Sequence, residues 1–339
     1  MEPSRVQRRR RARRARRARR RRALMWCALV TFGVAGGTAA WTVYWPGHAR
    51  SGAGGAAPSS ASVPAGGEAS VKASVKASPE ASVEALEPVR DRDPRLASAM
   101  SSVAVADGVE VAVAVLDPET GHGASYGTGP FTTASIVKVD ILATLLLQAQ
   151  DAGRTLTAAE KAYAVAMIEK SDNESTSALW ESIGKADGLD AANERFGLTA
   201  TEGGEGPVWG MTQTTPADQV ALLRQVFVAD GSQLSEASRA YVRGLMERIA
   251  PGQRWGVSAA ADGSGWALKN GWLRRTTSGL WVVNSIGRVT SGGHDLLVAV
   301  VSRGSATMAE GVSLTEEAAK AAVSVFASAG SADQGQKSS

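Results

Sequence analysis

Residues 135–147 read SIVKVDILATLLL, the most apolar helix-like run in the chain beyond residue 90. Ser135 opens the run and Lys138 follows three positions later, so both side chains share one face of a helix. Apolar residues surround this face on nearly all sides, which predicts a buried central helix. Burial disfavours the ammonium form of a lysine, and a lysine with a lowered pKa can accept the proton of a serine hydroxyl. The stretch therefore predicts a core helix that carries a nucleophile and its base.

The first turn of this helix offers a second catalytic feature. Its unsatisfied N–H groups, including that of Ser135, can stabilise an oxyanion that forms during attack. Thr132 or Thr133 is expected to cap the turn. A histidine base is not expected, because the chain's histidines lie in a low-complexity segment, a loop and a strand edge: His48, His122 and His294.

Strand patterns lie on both sides of the helical patterns. Strands are predicted at 109–116, 124–126, 266–273, 279–286 and 294–302. Helices are predicted at 135–152, 157–170, 173–183, 216–228, 235–249 and 314–327. This order favours an α+β fold, with an antiparallel sheet formed by both ends of the domain and packed against a helical subdomain.

The amino-terminal part has a different composition. Residues 1–22 hold thirteen arginines and one acidic residue, whereas the rest of the chain holds 24 basic and 32 acidic residues. A basic groove for nucleic acid is therefore not expected in the folded domain, which leaves the arginine run as the sole candidate for such contact. Residues 23–45 carry no charge and, at about 1.5 Å per residue, can cross a hydrocarbon core of roughly 30 Å.

These features predict a protein of the cell membrane that crosses it once. The arginines place residues 1–22 in the cytoplasm as a tail, residues 23–45 serve as a signal-anchor, and the remainder is extracellular. A signal peptide cleaved near Thr38 to Ala40 is the alternative. Cys27 is the only cysteine and lies inside the apolar segment, so an intramolecular disulfide is excluded.

Residues 46–90 predict a flexible linker, because they are mostly Gly, Ala, Ser, Pro and Val with almost no large apolar side chains, and cannot offset chain entropy by burial. The globular domain is predicted at 91–328, followed by a disordered tail at 329–339. No metal cluster and no phosphate-binding glycine loop is apparent, so we expect no cofactor.

A serine and a lysine three positions apart are a weak signal alone. Ser182 and Lys185 share the spacing, but they lie at a predicted helix end with no apolar run after them, and we interpret them as a coincidence. The first pair is accompanied by two further motifs, Ser171-Asp172-Asn173 and Lys269-Asn270-Gly271. Together with FTTAS at 131–135, TTP at 214–216 and QRWGV at 253–257, these motifs resemble the class A β-lactamase-like serine hydrolases among the penicillin-recognising enzymes.

The resemblance covers about residues 92–328 and implies a role for each matching position. Ser135 would be acylated and Lys138 would activate it. Ser171 would relay a proton to the leaving nitrogen, and Lys269 would attract the substrate carboxylate. Asn173 would hydrogen-bond the substrate amide, and Asn270 and Gly271 would contact the substrate as parts of the Lys269-Asn270-Gly271 motif. The backbone N–H groups of Ser135 and Trp272 would form the oxyanion hole. The alternative for Ser171 and Asn173 is that they merely cap a helix.

Two positions depart from the family pattern. Asn270 stands where a threonine or serine is usual, which removes a hydroxyl that would face the substrate carboxylate. The stretch 196–215 lacks the family's Glu-x-x-Leu-Asn loop, whose glutamate positions the water that clears the acyl-enzyme. Glu202 and Glu205 lie in this stretch among glycines, and we expect them to be solvated loop carboxylates.

The sequence thus predicts an enzyme that forms an acyl-enzyme with a β-lactam or a peptidoglycan peptide, with slow deacylation. The membrane contact is predicted through residues 23–45. The alternative is a surface module that binds β-lactams, stays acylated and acts as a sensor. A degenerate domain without chemistry is disfavoured because the motif positions other than 270 are intact.

Overall fold

The computed structural model of the protein describes residues 91–327. The predicted cytoplasmic tail, membrane anchor and linker at 1–90 lie outside the described residues, as does the predicted tail at 329–339. Among the described residues, no helix combines the length and the apolar character that a membrane crossing requires. The anchor at 23–45 therefore stays a prediction.

Eight α-helices and seven strands make up the described region. The helices are α1 (Asp93–Met100), α2 (Val137–Asp151), α3 (Ala158–Glu169), α4 (Asn173–Ser182), α5 (Lys185–Phe196), α6 (Pro216–Phe227), α7 (Glu236–Met246) and α8 (Met308–Ala327). The strands are β1 (Glu110–Leu116), β2 (Gly123–Tyr126), β3 (Phe131–Thr132), β4 (Gln213–Thr214), β5 (Trp266–Arg274), β6 (Trp281–Ser291) and β7 (His294–Ser305). Short 3-10 turns occur at Ala134–Ile136, Trp209–Met211, Pro251–Gln253 and Gly256–Ala260.

Five strands form one antiparallel sheet in the order β2-β1-β7-β6-β5. Strand β1 from the start of the domain pairs with β7 from its end, Val113 lying opposite Val300. Both ends of the domain therefore contribute strands to the same sheet, and the predicted α+β fold is confirmed. Strand β5 lies at the edge of this sheet, which leaves one side of its backbone available to a ligand.

Both faces of the sheet are buried by helices. Residues 112, 114 and 116 of β1 face the larger apolar cluster, which includes α2, whereas residues 111, 113 and 115 face the cluster formed with α1 and α8. This alternation follows from the two-residue period of a strand. Twelve of the fifteen residues of α2 are buried, so the predicted buried central helix is confirmed. It begins at Val137, however, and Ser135 lies in the 3-10 turn before it and not in the helix.

Some boundaries and elements differ from the predictions. Helix α8 begins at Met308 rather than at Leu314, because Thr307 and Glu310 form a reciprocal cap through 3.0 and 3.1 Å hydrogen bonds. Helices α1 and α5 were not predicted, since each buries few apolar side chains, and the two-residue strands β3 and β4 are too short for a periodic pattern.

Candidate active site

A side chain of the β-sheet, and not a helix cap, holds the turn that carries Ser135. Neither predicted cap makes a side-chain capping bond: Thr132 lies in β3, and the buried Thr133 hydroxyl has no hydrogen-bond partner in the described region. Instead, the fully buried Asn284 of β6 donates Nδ2–H bonds of 2.8 and 2.9 Å to the Thr132 and Thr133 carbonyls. Sequence reasoning missed Asn284, because only the pairing of β5 with β6 brings it beneath the turn.

Strand β5 lies directly against the backbone of Ser135. A Cβ atom added to Gly271 would fall 2.6 Å from the Ser135 nitrogen and 2.8 Å from the Thr133 carbonyl oxygen. Only glycine permits this approach. Ala134, immediately before the serine, has a φ of +49°, a left-handed conformation that costs a residue with a side chain about 1 kcal/mol or more. The tight turn and the missing side chain together bring the Ser135 amide to the sheet edge.

Lys138 is fully buried and makes three polar contacts. Its Nζ lies 2.6 Å from the Ser171 carbonyl oxygen, 3.0 Å from Ser171 Oγ and 2.9 Å from Asn173 Oδ1. Burial lowers the pKa of Lys138 to about 7, and the carboxylate of Asp172 opposes part of this shift. A large fraction of Lys138 is therefore neutral near neutral pH, the form that a base requires.

Ser171 lies between two buried lysines. Its hydroxyl oxygen is 3.0 Å from Lys138 Nζ and 3.1 Å from Lys269 Nζ. A φ of +58° turns both its carbonyl and its hydroxyl towards Lys138. Asp172, and neither Ser171 nor Asn173, supplies the side-chain cap of α4, accepting a 2.7 Å bond from the Ser175 amide. The capping alternative therefore does not account for the motif.

Lys269 is fully buried on β5. Its Nζ donates to the Asn270 carbonyl oxygen at 2.9 Å and to the Ser171 hydroxyl. Burial, reinforced by the charge of Lys138, lowers the pKa of Lys269 well below its ordinary value. A carboxylate that approaches this lysine would favour its charged form and relieve the cost of burial.

Two of the predicted substrate contacts are accessible. Asn173 is exposed at the start of α4, with its Oδ1 held by Lys138. Trp272 follows Gly271 along the edge strand, is half-buried, and its ring centroid lies 5.8 Å from that of Trp255. Trp272 on the edge strand and Trp255 just before the 3-10 turn Gly256–Ala260 thus form an aromatic pair next to Gly271.

The structure gives Asn270 a role other than the predicted substrate contact. Its side chain is fully buried, and Nδ2 donates to the Gln253 and Trp255 carbonyls at 2.8 and 2.9 Å. Consecutive strand residues alternate in direction, so the amide points away from the face that Lys269 and Gly271 share. Asn270 therefore fixes the segment that presents Trp255 and does not offer its own side-chain amide to a substrate carboxylate.

The other candidates lie where the sequence suggested. Lys185 pairs with Glu181 on the surface at 3.0 Å, far from the buried environment of Lys138. Glu202 and Glu205 are exposed. The two histidines in the described region lie beside aspartates, His122 at 3.1 Å from Asp91 and His294 at 3.2 Å from Asp117.

Trp209 is the second residue that sequence reasoning missed. Its ring centroid lies 4.9 Å from Lys138 Nζ, although 71 positions separate the two residues along the chain. The 3-10 turn Trp209–Met211 carries the indole to this place, and no periodic pattern precedes it. Only the path of the loop through space reveals the contact.

Comparison with solved structures shows the class of the domain. PBP-A superposes with a TM-score of 0.60 at 18% identity, covering 70% of this chain and 98% of that one. A class A β-lactamase from Bacteroides cellulosilyticus gives 0.59 at 16% identity, over 70% and 99% of the two chains. The TLA-1 extended-spectrum β-lactamase gives 0.60 at 17% identity, over 69% and 98%. The domain has the fold that PBP-A shares with the class A β-lactamases.

A family model described as the β-lactamase enzyme family matches residues 147–326, which is more than half of the chain. The chain belongs to this family. The matched range includes Ser171 and Lys269 but begins after Ser135 and Lys138.

A curated relative from Mycobacterium tuberculosis, named "Putative lipoprotein LppW", is 26% identical over 176 residues. The match covers 50% of this chain and 56% of the relative, so the chain spans about half the length of the curated relatives it matches.

Proposed function

We propose that this domain is a serine acyl-transfer enzyme that becomes acylated at Ser135 by β-lactams or by peptidoglycan peptides ending in a carboxylate. One observation carries the proposal: the Ser171 hydroxyl bridges Lys138 and Lys269 at 3.0 and 3.1 Å. The strand that supplies Lys269 also presses Gly271 against the Ser135 nitrogen. These contacts support a site at one edge of the sheet, with Ser135 as nucleophile, Lys138 as base, Ser171 as proton relay and Lys269 as carboxylate binder.

The acylation step follows from the charges of the two lysines. A neutral Lys138 amine has two N–H donors for the Ser171 carbonyl and Asn173 Oδ1, and one lone pair that accepts the Ser135 proton. Ser135 Oγ then attacks the substrate carbonyl, whose oxygen takes the negative charge beside the backbone N–H groups of Ser135 and Trp272.

The leaving group departs in the second half of acylation. The carbon–nitrogen bond breaks, and the nitrogen takes the proton of the Ser171 hydroxyl, which the Lys138 ammonium replaces. Lys269 holds the substrate carboxylate in this step and supports Ser171 through their 3.1 Å hydrogen bond. Asn173 would hydrogen-bond the substrate amide, and its exposure beside Lys138 supports this role.

A second candidate function, a β-lactam sensor that stays acylated, is favoured by the loop at 196–215. Its carboxylates Glu202 and Glu205 are exposed, and Trp209 faces Lys138 instead. General-base catalysis commonly supplies a factor of about 10² to 10⁴, so hydrolysis of an acyl-enzyme without such a base is slow. The persistence of the adduct separates the two candidates, because a sensor keeps it and an enzyme releases it.

The test is acylation of the full chain, purified in detergent micelles, by a fluorescent penicillin. We expect intact-mass spectrometry to show one added penicillin, and peptide mapping to place it on Ser135 and not on Ser182. Ser135→Ala should abolish the adduct. Absence of any wild-type adduct, combined with no hydrolysis of a chromogenic cephalosporin, would overturn the proposal.

We also propose that the domain works outside the cell while tethered to the membrane. The uncharged residues 23–45 and the arginine-rich segment before them support this arrangement, and so does the word lipoprotein in the name of a curated relative. The anchor, the linker at 46–90 and the catalytic domain at 91–328 would then follow one another outwards from the cytoplasmic tail.

Protease added to intact cells is expected to cut the linker and release a fragment that begins within 46–90. A tag placed before residue 22 should stay protected. A mature protein that begins near Trp41, found without added protease, would instead show cleavage of a signal peptide.

A further inference from the structure

The indole of Trp209 lies close to Lys138, in addition to the polar partners of this lysine. The groups within hydrogen-bonding distance of Lys138 Nζ belong to Ser171 and Asn173. The indole centroid lies 4.9 Å from the same Nζ. A cation or amine beside the face of an indole is screened from water by a large apolar surface.

Hydrogen bonds fix both the indole ring and the backbone of Trp209. The ring donates its Nε1–H to the Ser177 hydroxyl at 3.2 Å. The Trp209 carbonyl accepts a 2.7 Å bond from the Thr212 hydroxyl, and the Thr212 carbonyl accepts a 2.8 Å bond from the Thr133 amide. The loop that carries Trp209 is therefore tied to the nucleophile turn itself.

The rest of the loop turns its charged groups outwards. Glu202 pairs through its backbone with Gln213 in two 2.9 Å bonds, and its side chain is exposed. The Gly206 carbonyl is fixed by a 2.8 Å bond from the Trp180 indole, next to the exposed Glu205. The loop thus presents an apolar ring to Lys138 and its carboxylates to solvent.

We propose that Trp209 keeps water away from Lys138 and thereby sets the lifetime of the acyl-enzyme. In hydrolysis, a water oxygen bonds to the ester carbon while a base takes one water proton. The bond from carbon to Ser135 Oγ then breaks, Oγ recovers a proton, and the acid leaves. Lys138 is the proposed base and is fully buried, and the indole fills space beside its Nζ that a water would need. The inference rests on the proposed acylation of Ser135.

Three variants distinguish the effect of the indole ring from the effect of its hydrogen bond to Ser177. Trp209→Ala opens the space, Trp209→Phe keeps an apolar ring without the Nε1–H donor, and Ser177→Ala removes only the acceptor. After labelling and removal of free penicillin, we expect the Trp209→Ala adduct to disappear at least about tenfold faster than the wild-type adduct. Trp209→Phe should stay close to wild type, and Ser177→Ala should fall between the two.

A pH profile distinguishes screening of Lys138 from mere loosening of the loop. Removing the indole hydrates the ammonium form, so the pH of half-maximal acylation should rise in Trp209→Ala by about one unit. Trp209→Phe should restore the wild-type profile. A loosened loop alone would change the rate without moving this midpoint.

The outcomes separate this inference from the proposed function. If the wild type forms no adduct, the proposed function fails first. If the wild type forms an adduct that is lost as fast as that of Trp209→Ala, the acylation proposal stands and the role of Trp209 is overturned. Should Trp209→Ala not fold, the Ser177→Ala adduct decides the matter. An adduct lifetime shorter than that of the wild type supports screening, and an unchanged lifetime contradicts it.

Discussion

Replacing Lys138 by methionine is expected to slow acylation of Ser135 about a thousandfold, because it removes the base and leaves an unbranched side chain of similar volume. The amine is fully buried against Ser171 and Asn173, so the substitution leaves two acceptors without their donor but fills the same volume. Stopped-flow or gel-based measurement of penicillin labelling gives the rate. In the wild type this rate should rise with pH and reach half its maximum near 7, since the neutral amine dominates above the lowered pKa of Lys138.

The chain supplies a matched control at its second serine–lysine pair. Lys185→Met removes a lysine at the same spacing from a serine, but this lysine is on the surface and pairs with Glu181. Labelling of Lys185→Met should equal that of the wild type. A Lys138→Met protein that labels within tenfold of wild type would contradict the role of Lys138 as base, and loss of labelling in both variants would point to general destabilisation.

Local chemistry explains why most of the fold could be predicted. The run at 135–147 and the strand patterns at both ends have strong periodicity, so their identity does not depend on remote contacts. Positions 135, 138, 171 and 269 lie in three motifs. These motifs are specific because they occur in the family's order along the chain and have the family's flanking residues. Helix α5 escaped prediction because a glycine lies inside it and it buries only a few residues, among them Leu189 and Phe196.

The parts of the site that could not be predicted depend on tertiary contacts. Asn284 acts on the Ser135 turn only through the register of β5 and β6, in which it lies opposite Gly271. The direction of Asn270 follows from strand alternation together with the carbonyls of a separate 3-10 segment. Trp209 reaches Lys138 through a loop without periodicity. No local sequence pattern predicts where these three side chains lie. The family resemblance identified only the motifs that they belong to or contact.

Helix α2 also holds a buried acid, two residues after the proposed base, that its apolar pattern did not predict. Asp140 is 1% exposed, and neither of its carboxyl oxygens has a hydrogen-bond partner in the described region. Burial raises the pKa of Asp140 to about 8, and the carboxylates of Asp190 and Asp218 add to this increase. The Asn193 amide faces the group closely enough to oppose the shift in part, yet no hydrogen bond of normal length joins them.

This raised pKa makes the stability of the domain depend on pH. Between an unfolded pKa of about 3.9 and the folded value, the folded state holds a proton that the unfolded state has lost. The free energy of unfolding therefore falls as pH rises through this window and levels off above the folded pKa. Asp140→Asn removes the titration while it keeps the shape of the protonated acid.

We expect Asp140→Asn to match the wild type below pH 4 and to be more stable at pH 9, by on the order of 5 kcal/mol if the full shift is expressed. Urea unfolding of both proteins at several pH values measures the difference. Thr144→Val is the matched control, because it removes another buried and unpartnered oxygen on the same helix but cannot titrate. Its effect on stability should be the same at every pH. An Asp140→Asn protein with the wild-type pH dependence would show that the buried carboxyl is hydrated or paired, and that the falling stability has another source.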